Sequence, residues 1–232
     1  AVIESRIEKA GLRLKAGHDY QVVNPEDDPR FRQYWDAYHR LNPRDRVTPD
    51  MAKATLRRSN TTIAAMMVKL GDADGMLCGL VGRYDGHLEH VREVVGLREG
   101  AKAFAALNAL MLEKHTLFIA DTFVNDDPDA EQLADIAAMA AVEVKRFGLV
   151  PKLAFLSHSM YGSSSRPSAR KMRRARDLFV ERYPDIEADG EMHGDAALSE
   201  DVRRRFLQDS TLHGVANVLI LPNLDAANIL FN

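Results

Sequence analysis

An α/β fold with mostly parallel sheets, arranged as two α/β domains, is what the sequence predicts, and three observations carry it. Short β-rich runs alternate with helical patterns of ten or more residues along most of the 232-residue chain. Residues 96–100, a short stretch with two glycines and several charges, interrupt the alternation and divide the chain into domains at 1–97 and 98–232. The composition, 46% hydrophobic and 28% charged, is that of a folded, water-soluble protein.

Taken in order, residues 2–10 read as an amphipathic helix with Ile3, Ile7 and Ala10 on one stripe. Residues 20–23 form a short strand. Asp28 as N-cap and Pro29 at the first position start a helix over 31–39, and Thr48-Pro49 repeats that signal for 51–57. Residues 61–70 form a helix closed by Gly71, 76–81 a buried strand, and 88–95 a helix. Beyond the boundary, 103–111 and 116–120 are strands separated by the polar turn 113–115. Asp127-Pro128 starts a long helix to Phe147, stopped by Gly148. Then come strand 153–156, helix 168–183, strand 186–188, helix 199–207 and strand 218–221. Residues 224–231 begin a last helix of about two turns, marginal by itself. That short helix, and a first residue that is not Met, predict a piece of a longer protein, truncated at both ends.

The formal net charge of −3 gives no basic surplus for nucleic acid. No apolar run approaches the ~20 residues of a membrane span, and no signal peptide opens the chain. A single cysteine, Cys78, excludes an intrachain disulfide framework and a cysteine-based zinc site, and suits a reducing cytosol. The expectation is a cytoplasmic protein without a metal, a nucleic-acid partner or a membrane.

The most informative stretch runs from Leu153 to Lys171: a strand, a small-residue loop, a helix. Ligands of parallel α/β sheets sit at the carboxyl ends of strands, where loops open onto helix N-termini. Backbone N–H groups there favour anions, and Ser157, Ser159, Ser163 and Ser168 add hydroxyls around Gly162. The alternative is a polar connection whose serines only cap backbone groups. The spacing is not that of a nucleotide P-loop. Arg166, Arg170, Lys171, Arg173, Arg174 and Arg176 follow, and Arg170, Arg173 and Arg174 share a helix face; such a face holds phosphates through guanidinium contacts or is simply solvated. The segments 119–127 and 219–225, the latter carrying Asn223 and Asp225, repeat the strand–loop–helix pattern. As parallel neighbours, the three would bring their polar tips to one cleft.

Other constellations fail. His87 and His90 share a helix face without an evident third metal ligand. Ser157 and His158 are adjacent and point apart. Residues 72–75 are too short for a calcium loop. Arg203-Arg204-Arg205 point in three directions.

The chain resembles the phosphotransacetylase (phosphate acetyl/butyryl transferase) family over nearly its whole length. The likeness is carried by Gly71-Asp72-Ala73-Asp74-Gly75, Ala120-Asp121-Thr122-Phe123-Val124-Asn125, Leu156-Ser157-His158-Ser159 with Gly162, the block from Gly190 to Ala197, and the block from Ala216 to Asp225. It implies two α/β domains of isocitrate/isopropylmalate-dehydrogenase-like architecture with an acyl-CoA cleft between them. Asp85-Gly86-His87-Leu88-Glu89-His90-Val91, Glu113-Lys114-His115 and Glu191-Met192-His193-Gly194-Asp195 look like the carboxy-terminal domain of the large bacterial NADP-dependent malic enzymes.

That resemblance implies a regulatory, acetyl-CoA-sensing and oligomerisation module. Its partners would be a second copy, as a homodimer or larger homo-oligomer, and an amino-terminal malic-enzyme domain that alone holds NADP and a divalent metal. The expected acyl-CoA and phosphate ligands are Ser157, Ser159, Gly162, Ser163, Arg166, Arg170, Asn223 and Asp225. Phosphotransacetylases carry Leu-Arg-Pro where this chain has Leu88-Glu89-His90, so an acid replaces a phosphate-binding arginine. Their Ser-Arg catalytic segment falls beyond Asn232. The alternatives are an active phosphate acetyltransferase, making acetyl phosphate and CoA from acetyl-CoA and phosphate, and an oligomerisation module without ligand.

Overall fold

A computed structural model describes residues 2–41, 47–79, 81–113 and 115–232. The chain divides into two compact units, Ala1–Gly96 and Leu97–Asn232. The first contains helices α1 (Val2–Lys9), α2 (Phe31–Leu41), α3 (Pro49–Arg58), α4 (Asn60–Leu70) and α5 (Tyr84–Val94). Tyr34, Tyr38, Leu56, Ile63, Met66 and Val94 form its core. Local chemistry sets the helix ends: the Thr48 hydroxyl accepts from the Met51 amide with Pro49 in the first turn, and Gly71 closes α4 at φ +80°.

Several expectations for this unit are corrected. Among its described residues it is helical, not α/β. The run 76–81 forms no strand over its described positions, Leu80 lying outside them. Leu77 and Val81 are 101% and 83% exposed, and Gly79 and Gly82 take φ values of +130° and +104°. An apolar run without a partner strand has no ladder to join. Residues 20–23 fail likewise, leaving one isolated bridge, Ala16 to Tyr20. Asp28 does not cap a helix: its carboxylate accepts from the Arg30 amide and guanidinium, and α2 begins at Phe31.

The second unit holds β1 (Leu107–Met111), β2 (Thr116–Ala120), α6 (Ala130–Arg146), β3 (Leu153–Leu156), α7 (Pro167–Arg182) and β4 (Ala188–Met192). It continues with α8 (Gly194–Leu198), α9 (Glu200–Phe206), β5 (Val218–Ile220) and α10 (Leu224–Phe231). The sheet order is β1-β2-β5-β3-β4, with β1 antiparallel at one edge and the other four strands parallel. Period-two alternation builds both cores. Phe118, Phe155 and Ile220 pack under α6 and α7, while Ile119, Ala154, Leu156 and Leu219 pack with α8 and α10 on the other face.

Boundaries shift for identifiable reasons. The polar turn between β1 and β2 is described except at Lys114. β1 starts at Leu107, not 103, because Leu107 pairs with Ala120, the last residue of its partner, and the Ala106 amide is taken by the Asp121 carboxylate. Asp129, not Asp127, caps α6, in a reciprocal capping box with Gln132. β4 lies at Ala188–Met192 rather than 186–188, since Leu153 pairs with Ala188. None of the described helices is long and apolar enough to cross a membrane.

Gly190 in β4 is a position that only glycine fills. Its φ is +141°, and a Cβ there would lie 2.6 Å from the Phe155 carbonyl oxygen in the neighbouring strand. Gly190→Ala is therefore expected to lower stability by at least ~3 kcal/mol in urea denaturation. A loss under about 1 kcal/mol would show that β3 and β4 separate freely at this point.

Candidate functional site

A cleft of about 850 Å³ opens at the carboxyl ends of β3 and β5, within the second unit. Leu156, Leu221, Pro222, Ala226, Ile229 and Leu230 give it apolar walls. Ser157, His158, Ser168, Asn223 and the pair Lys171–Asp127 supply its polar groups. The size and this mixture suit a small-molecule site, in which a few polar groups orient a largely apolar-walled ligand. The Lys171 ammonium donates to the Asp127 carboxylate and, at 2.8 Å, to the Pro222 carbonyl. Lys171, the one Lys or Arg among the described residues that line the cleft, is thus neutralised in place.

Two helices of eight residues or more begin at the rim. At α10, the Asn223 side chain accepts from the Ala226 amide at 2.9 Å. At α7, the N-cap is Arg166, which makes no side-chain cap, and Pro167 follows. The side chains of Arg166, Arg170 and Arg174 are exposed and have no partner among the described residues. Arg170 and Arg174 stand on one flank of the helix stripe that Pro167 and Lys171 turn to the cleft.

The expected ligands therefore separate into groups. Ser157 and Asn223 line the cleft, and Ser168 and Lys171 join them. Arg166, Arg170 and Asp225 are exposed outside its lining. Ser159, Gly162 and Ser163 belong to an inward network around Glu191. The fully buried Glu191 carboxylate accepts from Ser159 Oγ at 2.7 Å, the Gly162 amide at 2.8 Å and Arg173 Nη2 at 2.9 Å on one oxygen. Arg173 Nε reaches the other oxygen at 2.9 Å. Ser163 meets the Ser159 hydroxyl at 3.2 Å and accepts from the Met160 amide.

The tip of β2 also turns inward. Asp121 accepts from the backbone amides of Ala106, Phe123, Val124 and Asn125, and Thr122 donates to Asn108. From that segment only Asp127 lines the cleft. His158 approaches Ser164 rather than Ser157, at 3.2 Å. In the first unit, His87 meets Thr61 through Nδ1 and the Val81 carbonyl through Nε2, so both ring nitrogens are engaged. Glu89 is exposed on α5.

Sequence reasoning did not assign Lys171 and Asp127 to the cleft, nor Glu191 and Arg203 to the interior. Lys171 was readable as the residue one turn after Pro167, on the same helix face. Arg203 is completely buried and donates to the carbonyls of Ala196, Leu212 and Gly214 and to Ser210 Oγ. Nothing in a run of three arginines marks which one turns inward.

A doubly wound second unit with its cleft at the strand ends is the setting of a small-molecule-binding α/β protein. The family is shown by sequence: residues 1–232 match the model of the phosphate acetyl/butaryl transferase family, and the chain belongs to that family. It is 51% identical over 231 residues to an NADP-dependent malic enzyme of Escherichia coli, covering 100% of this chain and 30% of that protein. It is 33% identical over 208 residues to a phosphate acetyltransferase of Synechocystis, covering 90% of this chain and 30% of that protein. The chain thus spans about 30% of the length of these curated relatives. A phosphotransacetylase structure from Streptococcus pyogenes superposes with a TM-score of 0.86 at 28% identity, covering 99% of this chain and 69% of that one.

Burial pushes the Glu191 carboxyl up, but Arg173, Ser159 and the Gly162 amide together hold it down at about 2. With an ordinary value of 4.5, the unfolded chain takes up this proton first as pH falls. The stabilisation, about 3 kcal/mol, is complete above about pH 5 and is lost as pH drops toward 2. Glu191→Gln should be less stable than wild type at neutral pH, with the gap narrowing steadily below about pH 5 in urea titrations. A gap independent of pH would contradict the assignment.

Proposed function

We propose that this chain is the phosphotransacetylase-like part of an NADP-dependent malic enzyme, serving there as a regulatory acetyl-CoA-sensing and oligomerisation module. The parent reaction is the oxidative decarboxylation of malate to pyruvate and CO2. NADP and a divalent metal belong to the malic-enzyme part. The observation that carries the reading is 51% identity, along the whole chain, to less than a third of a malic enzyme. A match of that kind supports a module joined to a separate catalytic part.

The cleft supports the ligand. Its interior has apolar walls and a self-neutralised Lys171–Asp127 pair, which suits the uncharged pantetheine arm of CoA. The phosphates need cations, and the partnerless Arg166 and Arg170 stand at the N-terminal end of α7 beside the rim, with the partnerless Arg174 one turn further along. Glu89 in place of the family arginine argues against transacetylation, because a carboxylate repels an acyl phosphate. Regulation requires that acetyl-CoA bind two arrangements of the enzyme unequally; tight binding alone shifts nothing.

In the natural full-length protein, acetyl-CoA should lower malate oxidation several-fold, as a coupling on the order of 1–3 kcal/mol provides. Arg166→Ala with Arg170→Ala should raise the half-effective concentration by about tenfold or more. No inhibition at millimolar acetyl-CoA refutes the sensing role, whereas inhibition untouched by both substitutions moves the phosphate site elsewhere. The same preparation should form no acetyl phosphate from acetyl-CoA and phosphate. Robust turnover there establishes the acetyltransferase instead.

Self-association follows from the module's second role. Sedimentation of the full-length protein at tens of micromolar should show at least a dimer, and a strict monomer would remove oligomerisation from the proposal.

A further inference from the structure

The loop over residues 157–166 forms the polar wall of the cleft through Ser157 and His158, yet five of its hydrogen bonds run away from the cleft, to β4. Gly162 and Ser159 donate to the Glu191 carboxylate, and the Tyr161 amide donates to the Glu191 carbonyl at 2.9 Å. The Ser164 amide donates to Ser159 Oγ at 3.0 Å, so it reaches Glu191 through one intermediate. On the same strand, Asp189 accepts from the Tyr161 hydroxyl at 3.2 Å. The loop needs such holding: Tyr161 and Gly162 both take positive φ, +43° and +91°, which costs a non-glycine residue about 1 kcal/mol.

We propose that Glu191 is the positioning residue of the cleft: clamped by Arg173, its carboxylate fixes loop 157–166 and so places Ser157 and His158 against the ligand. The clamp also reaches α7. Arg173 stands on that helix two residues beyond Lys171, so one carboxylate ties β4 to both the loop and the helix that line the cleft. Glu191 itself touches no ligand, being completely buried beneath the loop. Its effect on binding passes through Ser159 and Gly162.

Ser159→Ala tests this most directly, because it cuts the link on the loop side and leaves the Glu191–Arg173 pair in place. The first readout needs no ligand. Amide hydrogen exchange within 157–166 should accelerate about tenfold, the loss of roughly one hydrogen bond to a charged acceptor, while exchange in β3 and β5 stays at the wild-type rate. Unchanged exchange in the loop overturns the proposal. Equal acceleration throughout the second unit also overturns it, because that pattern reports global stability alone. Glu191→Gln should loosen the same segment further; if it does not fold, Ser159→Ala still decides.

The second readout is CoA affinity, measured by calorimetry on the natural full-length protein, and this half rests on the acetyl-CoA reading of the site. The dissociation constant should rise about tenfold in Ser159→Ala. A core variant of equal instability in the first unit, Ile63→Val, should leave it unchanged. A loosened loop with unaltered CoA affinity overturns the coupling of Glu191 to the site. Wild-type protein that binds no CoA fails the ligand reading, and the exchange data then decide the positioning of the loop.

Discussion

The carboxylate of Glu191 is the interaction on which the rest of the second unit depends. A buried charge is tolerated only when paired and hydrogen-bonded, and here a bidentate arginine, a hydroxyl and a backbone amide fill its acceptor sites. The three partners come from a helix and a loop that no backbone ladder holds to β4 beyond a few turns. Removing any one leaves a buried charge short of a partner, which costs far more than the net worth of the bond. The arrangement explains why Ser159, in a loop whose other serines are exposed or half-buried, is completely buried.

The same solution recurs at the tip of β2 and near the start of β4. Asp121 closes the tip of β2 by accepting from four backbone amides, and Asp189 gathers Tyr161, Ser210 and Thr211. Ser210 in turn accepts from the buried Arg203, so this buried cation is tied to β4 through one hydroxyl. Charged residues at β2 and β4 are thus spent on holding loops. The ends of β3 and β5, which floor the cleft, carry the neutral Ser157 and Asn223 instead. Charge builds the frame, and at these two strand ends neutral polar groups face the cleft.

This division also explains what could be read from the sequence. Some helix ends were legible because the cap is a local event: Thr48, Gly71 and Gly148 act within a turn of their own position, whereas Asp129, just as local, was passed over for Asp127. The central strands β2, β3 and β5 were legible because buried parallel strands are continuous apolar runs. β4 was not, since Ala-Asp-Gly-Glu-Met reads as a loop until the partners of both acids are known. Residues 76–81 failed in the opposite sense, an apolar run to which the structure gives no partner strand. Of the site, the strand–loop–helix pattern found Ser157, Ser168 and Asn223, which depend on local order. It could not assign Ser159 or Gly162, whose direction is set by a carboxylate about thirty positions away.

The distribution of charge on α7 is the last link between frame and site. Other helices of the unit follow the pattern that stabilises a helix: α6 opens on Asp129 with Glu131 in its first turn, and α9 on Ser199 with Glu200 and Asp201. α7 has no acid in its first turn and no side-chain cap, and Arg166, Arg170 and Lys171 lie at its positive end. Each such cation opposes the helix dipole by a few tenths of a kcal/mol. Arg173 recovers that through Glu191, and Lys171 through Asp127, but Arg166 and Arg170 have no acidic partner among the described residues. Helix stability gives no reason for two free guanidinium groups at an uncapped positive end. The CoA phosphates of the proposed function would supply one, since an anion seated there would satisfy the open amides and both arginines at once, beside the cleft whose loop Glu191 is proposed to hold.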